Sequence, residues 1–159
     1  MASQAHVHQI NVSDGGVPKL PVPRAQVGTE GLVGDRQRNT QVHGGPQRAV
    51  CLYSLERLQA LQQEGHPVAP GTIGENLTIA GLEWEKATPG VRLRIGEAVE
   101  VEVVSYTSPC KNICDSFRDG DFGRISQKLH PGWSRVYARV LSTGAIATGD
   151  AVVLLPAPR

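Results

Sequence analysis

The chain has 159 residues, enough for one domain with a sizeable core, and we expect a single domain over residues 1–159. A formal net charge of +1 leaves no basic surplus to attract a polyanion. Because aromatic residues make up only 4% of the chain, base stacking on an aromatic platform is also disfavoured. The composition therefore argues against nucleic acid as a partner.

Targeting and redox signals point to the cytoplasm. The first residues, "MASQAHVHQINV", lack the basic and apolar regions of a secretory signal. The longest apolar run, residues 151–155, is too short to cross a bilayer, so we expect no membrane partner. Three cysteines, Cys51, Cys110 and Cys114, are an odd number and do not suggest a disulfide framework. We expect reduced thiols in a cytoplasmic protein.

Short strands dominate the predicted elements. Alternation is clearest in "AVEVEVVS", where Val99, Val101 and Val103 share one face and glutamates occupy the other. In chain order we predict strands in "AVCLY", "LTIA", "GVRLRIG", "AVEVEVVS", "SRVYARVL" and "AVVLL". Gly-Asp and Gly-Glu pairs punctuate them as turns. This pattern is typical of a mainly β fold, a barrel or a sandwich.

Two helices are predicted among the strands. Ser54 can cap "LERLQALQQEG", in which Leu55, Leu58 and Leu61 form an apolar stripe that ends before Gly65. A second helix is predicted in "DFGRISQKLHPG", with Phe122, Ile125 and Leu129 on one side and Pro131-Gly132 as its stop. Helices do not alternate with the strands, which argues against a doubly wound fold.

A long polar stretch, "GLVGDRQRNTQVHGGPQRAV", covers residues 31–50. Its glycines allow close approach of the backbone to a ligand, and Arg36, Arg38 and Arg48 can grip an anion. His43, next to a Gly-Gly-Pro turn, could present its imidazole to a pocket. Because long loops without structure are often functional, a binding site and a solvated surface loop both stay open.

A second glycine-rich stretch is "PGTIGENLTIAGL", residues 70–82. Asn76 offers two donors and an acceptor, enough to read the edge of a heterocycle. Taken alone, this stretch favours a structural role, in which the side chains of Glu75 and Asn76 form hydrogen bonds with the backbone of the turn.

The third stretch, "YTSPCKNICDSF", places Cys110 after a strand that ends near Tyr106. With Thr107 or Ser108 as the cap and Pro109 at the first helical position, Cys110 would lie in a first helical turn beside Lys111. The free backbone N–H groups of a first helical turn and the charge of Lys111 would both lower the pKa of the thiol and favour the thiolate. A thiolate is the form that acts as a nucleophile or as a soft-metal ligand. An inert core role is favoured for Cys51 instead.

Two other chemistries would also use Cys110. A structural zinc site would need four ligands, and the close pairs are Cys110 with Cys114 and His6 with His8. A hydrolase with Cys110 and His43 would need a local nucleophile signature, which the sequence lacks. Phosphate-loop and dinucleotide fingerprints are also absent.

Six motifs in one order resemble the MOSC family, the domain named after the C-terminal part of molybdenum cofactor sulfurases. They are "GLVGDRQRN", "HGGPQRAV", "GTIGENLTIAGL", "PGVRLRIGEAVEVEV", "SPCKN" and "YARVLSTGAIATGDAVVLL", within about residues 28–155. The chain is similar to the small stand-alone bacterial type. No aminotransferase-like domain precedes the match, so pyridoxal phosphate is not expected.

The resemblance implies a β-barrel of the pyruvate kinase β-domain type and a molybdenum cofactor (molybdopterin). It implies that Cys110 ligates molybdenum, which agrees with the preference of soft metals for sulfur. Catalytic relatives reduce N-hydroxylated compounds with electrons from a flavin-containing partner. By the same match, His43 and Asn76 would line the pocket, with His43 a second catalytic candidate, and Arg36, Arg48, Lys111 and Arg139 would contact the cofactor or orient substrate.

Two features depart from the family pattern, and the role of Cys114 is not assigned by it. Many reductase-type relatives have a basic residue where this chain has Ser108, and "DSFRDGDFGRISQKLH" has no clear counterpart. In an α-helix Cys114 would lie one turn from Cys110, where we expect a core or supporting role. The alternatives to an enzyme are a cofactor carrier or sulfur-handling module, and a zinc-binding or metal-free β-protein.

Overall fold

The computed structural model describes residues 4–35 and 45–156, which form a mainly β structure. The strands are β1 His6–Val12, β2 Leu20–Val22, β3 Arg24–Gly28, β4 Gly31–Leu32, β5 Val50–Ser54, β6 Leu77–Ala80, β7 Arg92–Ile95, β8 Val99–Thr107, β9 Arg135–Ser142, β10 Gly144–Ala147 and β11 Val152–Leu154. One α-helix, α1, spans Leu55–Gln63 in these ranges. Short 3₁₀ helices cover Pro46–Arg48, Trp84–Lys86, Lys111–Ser116, Arg118–Gly120 and Phe122–Ile125. None of the helices in these ranges is long and apolar enough to cross a membrane.

The strands form two sheets in the described part of the chain. The larger has eight strands in the order β11-β7-β8-β9-β5-β6-β1-β2, and the smaller has the order β10-β3-β4. Strands β5 and β6 are parallel and their neighbours are antiparallel, so the larger sheet is mixed. The mainly β prediction is confirmed.

The closed barrel expected from the sequence is not found among the described residues. Strands β11 and β2 end the larger sheet, and no strand ladder pairs these two edges. An isolated antiparallel bridge joins His6 to Ala151, with backbone hydrogen bonds from Val7 N to Asp150 O at 2.9 Å, from Gly149 N to Val7 O at 2.8 Å and from Val152 N to Ala5 O at 2.9 Å. One bridge does not make a continuous strand pairing.

The alternating pattern of β8 places its valines in the core as predicted. Val99, Val101 and Val103 are each at most 1% exposed, while the intervening Glu100 and Glu102 face outward. Burial of each such side chain contributes on the order of 2 kcal/mol to stability. Helix α1 is also confirmed: Ser54 Oγ accepts from Arg57 N at 3.1 Å, and Leu58 and Leu61 are fully buried.

The second predicted helix is wrong. Residues 122–125 form a 3₁₀ helix, and turns follow it instead of further helical residues. Ile125 is buried, but Leu129 is 64% exposed and does not continue an apolar stripe. Gly120, with φ 68°, and Gly123 stand where an α-helix would begin, and glycine costs about 1 kcal/mol per helical position relative to alanine.

Candidate functional site

Cys110 lies between the end of β8 at Thr107 and the 3₁₀ helix Lys111–Ser116. Its own backbone is extended (φ −140°, ψ 174°), and its carbonyl accepts from Ile113 N at 3.1 Å. The prediction that Cys110 lies within a first helical turn is therefore wrong: the helix begins one residue later. Cys110 is a strand-exit residue whose thiol is partly exposed.

Cys114 does not stack over Cys110 as the α-helical spacing predicts. The segment is a 3₁₀ helix, in which three residues make a turn, so a four-residue spacing does not return to the same face. Cys114 Sγ lies 3.8 Å from Asp115 Oδ1, and all three cysteines are free thiols. This makes Cys114 a natural comparison for Cys110, similarly exposed and four residues away.

An inner cavity of about 60 Å³ opens beside Cys110. Two thiols, two cations and a phenol meet there: the lining includes Cys51, Cys110, Lys19, Arg135 and Tyr137. Cys51 is buried, as predicted, and burial raises the pKa of its thiol, which keeps it protonated. Burial also raises the pKa of Tyr137 to about 12, so the phenol stays neutral near pH 7.

Arg135 is the buried cation of the inner cavity and begins β9. It is 6% exposed, and its Nη1 donates to the carbonyl of Ile73 at 2.7 Å. Its Nε is buried and has no hydrogen-bond partner among the described residues. A buried guanidinium with an unused donor favours an anionic group in the cavity, because an unpaired buried donor costs free energy.

Lys19 also lines the inner cavity, and its ammonium group forms a buried ion pair. Its Nζ lies 2.6 Å from Asp35 Oδ1, with the two side chains 3% and 5% exposed. Asp35 Oδ2 accepts from Asn76 Nδ2 at 2.8 Å, and Asn76 Oδ1 accepts from Cys51 N at 2.9 Å. The polar atoms of Asn76 thus bond within the fold, and this network fixes the β5 backbone at Cys51.

Glu75 is a buried carboxyl that directly follows the cavity-lining residue Gly74. It is fully buried, its Oε2 accepts from Thr78 Oγ1 at 3.0 Å, and its Oε1 has no partner within the described ranges. Burial raises the pKa of Glu75 to about 7, although hydrogen bonds and the charge of Arg135 oppose this shift. Glu75 therefore changes its charge near neutral pH.

An outer cleft of about 420 Å³ lies on the other side of Cys110 and Tyr137, which line both spaces. Arg48, Ser105, Tyr106, Ser108 and Pro109 complete its described lining. The Arg48 guanidinium lies 5.7 Å from the centroid of the Tyr137 ring. The structure thus brings Arg48 and Cys110 to one cleft, as the sequence motifs suggest.

The other predicted site residues have different positions. Arg139 is 39% exposed and its Nε donates to Glu102 Oε1 at 2.8 Å on the outer face of the sheet. Lys111 is exposed at the start of the 3₁₀ helix. Arg36, Arg38 and His43 lie outside the described residues, so their predicted roles stay predictions. Across residues 4–35 and 45–156, no group of three or more His, Cys, Asp or Glu side chains is placed to hold a metal ion.

Three residues of the inner cavity were not predicted from the sequence: Arg135, Lys19 and Tyr137. The sequence of β9 could have indicated Arg135 and Tyr137. They alternate with core residues at the start of a predicted strand, so both lie on the same face of that strand. Lys19 gave no such signal: it stands before a short strand, and its partner Asp35 is 16 residues away. Only the fold brings these two charges together.

Comparison with known proteins assigns the chain to a family. The MOSC domain model matches residues 39–153, well over half of the chain. The chain is 33% identical over 142 residues to the uncharacterized protein YflK of Bacillus subtilis and 35% identical over 124 residues to YiiM of Escherichia coli. It is also 30% identical over 133 residues to a Gibberella moniliformis protein named reductase. The protein belongs to the MOSC domain family.

Solved structures agree with this assignment. YiiM from Geobacillus stearothermophilus superposes with a TM-score of 0.74 at 26% identity, over 96% of this chain and 75% of that one. YiiM from Escherichia coli gives 0.72 at 25% identity, over 97% and 70%. The matches cover 88%, 74% and 80% of this chain but 63%, 54% and 23% of YflK, YiiM and the reductase, so the relatives contain more than the matched region.

Proposed function

We propose that the protein binds a molybdenum cofactor and reduces N-hydroxylated small molecules with electrons from a separate, flavin-containing donor protein. One observation carries the proposal: the thiol of Cys110 lies where a cation-lined inner cavity meets an open outer cleft. Membership of the MOSC family and similarity to a protein named reductase support the class of chemistry.

The described residues fit such a cofactor. Arg135 lines the same inner cavity as Cys110, and its buried Nε, which has no hydrogen-bond partner among the described residues, is suited to an anion. The inner cavity, at about 60 Å³, has room for only a few atoms of ligand or water. A pterin is larger, so it would have to lie in the outer cleft, where Arg48 supplies a further cation. Cys110, Arg135 and Arg48 are the residues we assign to hold the group.

The reaction consumes two electrons and two protons: R–NHOH + 2e⁻ + 2H⁺ gives R–NH₂ + H₂O. When bound, the cofactor would supply the two-electron redox chemistry. Cys110 would provide the protein sulfur ligand, because soft sites favour thiolate. Arg135 would neutralise anionic charge beside it, and Tyr137 would keep a proton at its phenol oxygen. Cys51, protonated by burial, would remain a thiol in the cavity wall.

Substitution of Cys110 tests the proposal, with Cys114 as a matched control. Wild type, Cys110→Ala and Cys114→Ala should be produced in cells that make the cofactor. The three proteins are then compared for molybdenum content, for oxidised-pterin fluorescence and for reduction of hydroxylamine with a chemical reductant. We expect Cys110→Ala to lose turnover and to lose or loosen its metal, while Cys114→Ala behaves as wild type. Full turnover in Cys110→Ala would overturn the ligand role, and zinc or no metal in wild type would overturn the proposal.

A cofactor carrier or sulfur-handling module is the second candidate function. The observation that favours it is the second thiol: Cys51 lines the same inner cavity as Cys110. A carrier needs the cysteines and the cations but no substrate cleft or electron donor. The two functions separate on one measurement, because a carrier purified with molybdenum and pterin would not reduce hydroxylamine with a chemical reductant.

A further inference from the structure

The inner cavity carries a positive charge that no residue in its described lining balances. Lys19 and Arg135 are the charged side chains of that lining, and no carboxylate is among its described residues. Asp35 balances the charge of Lys19 through the buried ion pair. Within the described ranges the guanidinium of Arg135 forms no ion pair and donates one hydrogen bond, to the Ile73 carbonyl. Because a guanidinium has five N–H donors, Arg135 keeps both its charge and most of its donors for a ligand.

The size of the inner cavity limits its occupant to a few atoms. Its volume is about 60 Å³, and a cavity needs about 10–15 Å³ of such space to hold one water molecule. A halide or a three-atom anion such as azide fits together with water, whereas a bulky organic anion does not. The neighbouring walls add no negative charge, because burial keeps the thiol of Cys51 and the phenol of Tyr137 protonated by raising the pKa of each.

Glu75 sets the net charge around Arg135. The charged and titratable groups that act on its carboxyl are Arg135 from β9 and Cys51 and Tyr53 from β5, and the Thr78 hydroxyl donates to it. Since the pKa of Glu75 is raised to about 7, the carboxyl is mostly neutral below that pH and leaves the charge of Arg135 uncompensated. Above that pH the carboxylate offsets this charge and opposes the entry of a second negative charge.

We propose that the inner cavity binds one small monovalent inorganic anion, such as chloride, bromide or azide, through the guanidinium of Arg135. A single uncompensated charge favours a monovalent anion, because a divalent anion would leave net negative charge in a buried space. Arg135 is also assigned to the cofactor in the proposed function, so the anion is the occupant expected in protein without cofactor. The inference does not rest on the proposed function, because it is tested in the absence of the cofactor.

Chloride is the probe, and the line width of its NMR signal measures binding to the full chain purified without cofactor. With gluconate keeping the ionic strength constant, we expect saturable broadening that azide removes. Arg135→Met should weaken chloride binding at least about tenfold, while Arg139→Met, at the exposed end of the same strand, should change it less than about twofold. In crystals soaked in bromide, the anomalous peak should lie in the inner cavity. Equal binding in Arg135→Met, or bromide bound only elsewhere, would overturn the inference.

The pH dependence gives a second test that does not need Arg135→Met to fold. Between pH 6 and pH 8 the chloride affinity of wild type should fall about tenfold, because ionised Glu75 offsets the charge of Arg135. Glu75→Gln removes this carboxylate and should keep the same affinity at both pH values. An equal fall in the two proteins would overturn the inference, as would displacement of chloride by sulfate as effective as by azide. None of these results bears on the proposed function, which is judged by Cys110→Ala in protein that carries the cofactor.

Discussion

The two halves of strand β9 place the same residue type in two environments. Arg135, Tyr137 and Arg139 alternate along one face of the strand. At the start of the strand Arg135 lines the same inner cavity as Cys110, is 6% exposed, and has one donor without a partner in the described part of the chain. At the other end Arg139 is 39% exposed and bonded to Glu102. Burial, rather than residue type or spacing, makes one arginine a candidate ligand contact and the other part of a solvated charge pair.

The same contrast separates the ion pairs of the two regions. Lys19–Asp35 is almost completely buried, whereas Arg139–Glu102 and Arg94–Glu100 lie on the outer face. Loss of one partner leaves a buried charge in the first case and a hydrated charge in the second. The difference should appear in the free energy of unfolding, which should fall more when one partner of the buried pair is removed than when one partner of an exposed pair is removed.

Lys19→Met should destabilise the protein by about 4 kcal/mol, because Asp35 would be left as a buried charge without its cation. Urea unfolding at pH 7 measures the change in the free energy of unfolding. The double variant Lys19→Met/Asp35→Asn removes both charges and should recover part of the loss. A loss below about 1 kcal/mol in the single variant would mean that this pair behaves like an exposed one.

Glu75→Gln should stabilise the protein by about 3 kcal/mol at pH 8 and by little at pH 4. The pKa of Glu75 is raised to about 7 in the folded state from an ordinary value of 4.5. An unfolded chain therefore loses the proton first, and wild-type stability falls relative to the variant as pH rises from 4.5 to 7. Unfolding free energies measured across this range give the slope.

Glu102→Gln supplies a comparison of opposite sign on the outer face. Hydrogen bonds from Arg139 and Arg92 lower the pKa of Glu102, so its ionised form stabilises the fold above the ordinary pKa and loses that effect as pH falls. Wild type should therefore gain stability over Glu102→Gln as pH rises. Slopes of the same sign for both variants would contradict the assignment of Glu75 as a buried, proton-holding carboxyl.

Arg135→Met should cost about 2 kcal/mol of stability and reduce the molybdenum and pterin content of protein made in cofactor-competent cells. The stability loss follows because the Ile73 carbonyl loses its donor in a buried setting. The cofactor loss follows from the proposed role of Nε. Elemental analysis and pterin fluorescence measure it, and wild-type cofactor content in a folded variant would remove Arg135 from the site.

The same residues show which features of the structure can be predicted from the sequence and which cannot. Period-two alternation predicts β8 and the leucine stripe predicts α1, because both depend on local burial of neighbouring residues. The position of Cys110 at a strand exit is likewise local. The Lys19–Asp35 pair and the burial of Arg135 depend on contacts between distant segments, which no local pattern encodes. The exposed Leu129 shows the converse error, because an apolar residue at helical spacing was predicted to belong to the core.

Arg139→Met should give the smallest effect, about 0.5 kcal/mol of stability, because its partner is on an exposed face and Arg92 also bonds to Glu102. The sequence motifs suggest a cofactor contact for Arg139, whereas its position against Glu102 predicts unchanged molybdenum and pterin content. The paired comparison with Arg135→Met decides between them, since both variants lose one guanidinium from the same strand. If cofactor loss followed Arg139 and not Arg135, the cofactor would contact the exposed end of β9 and not the inner cavity that Cys110 and Arg135 line.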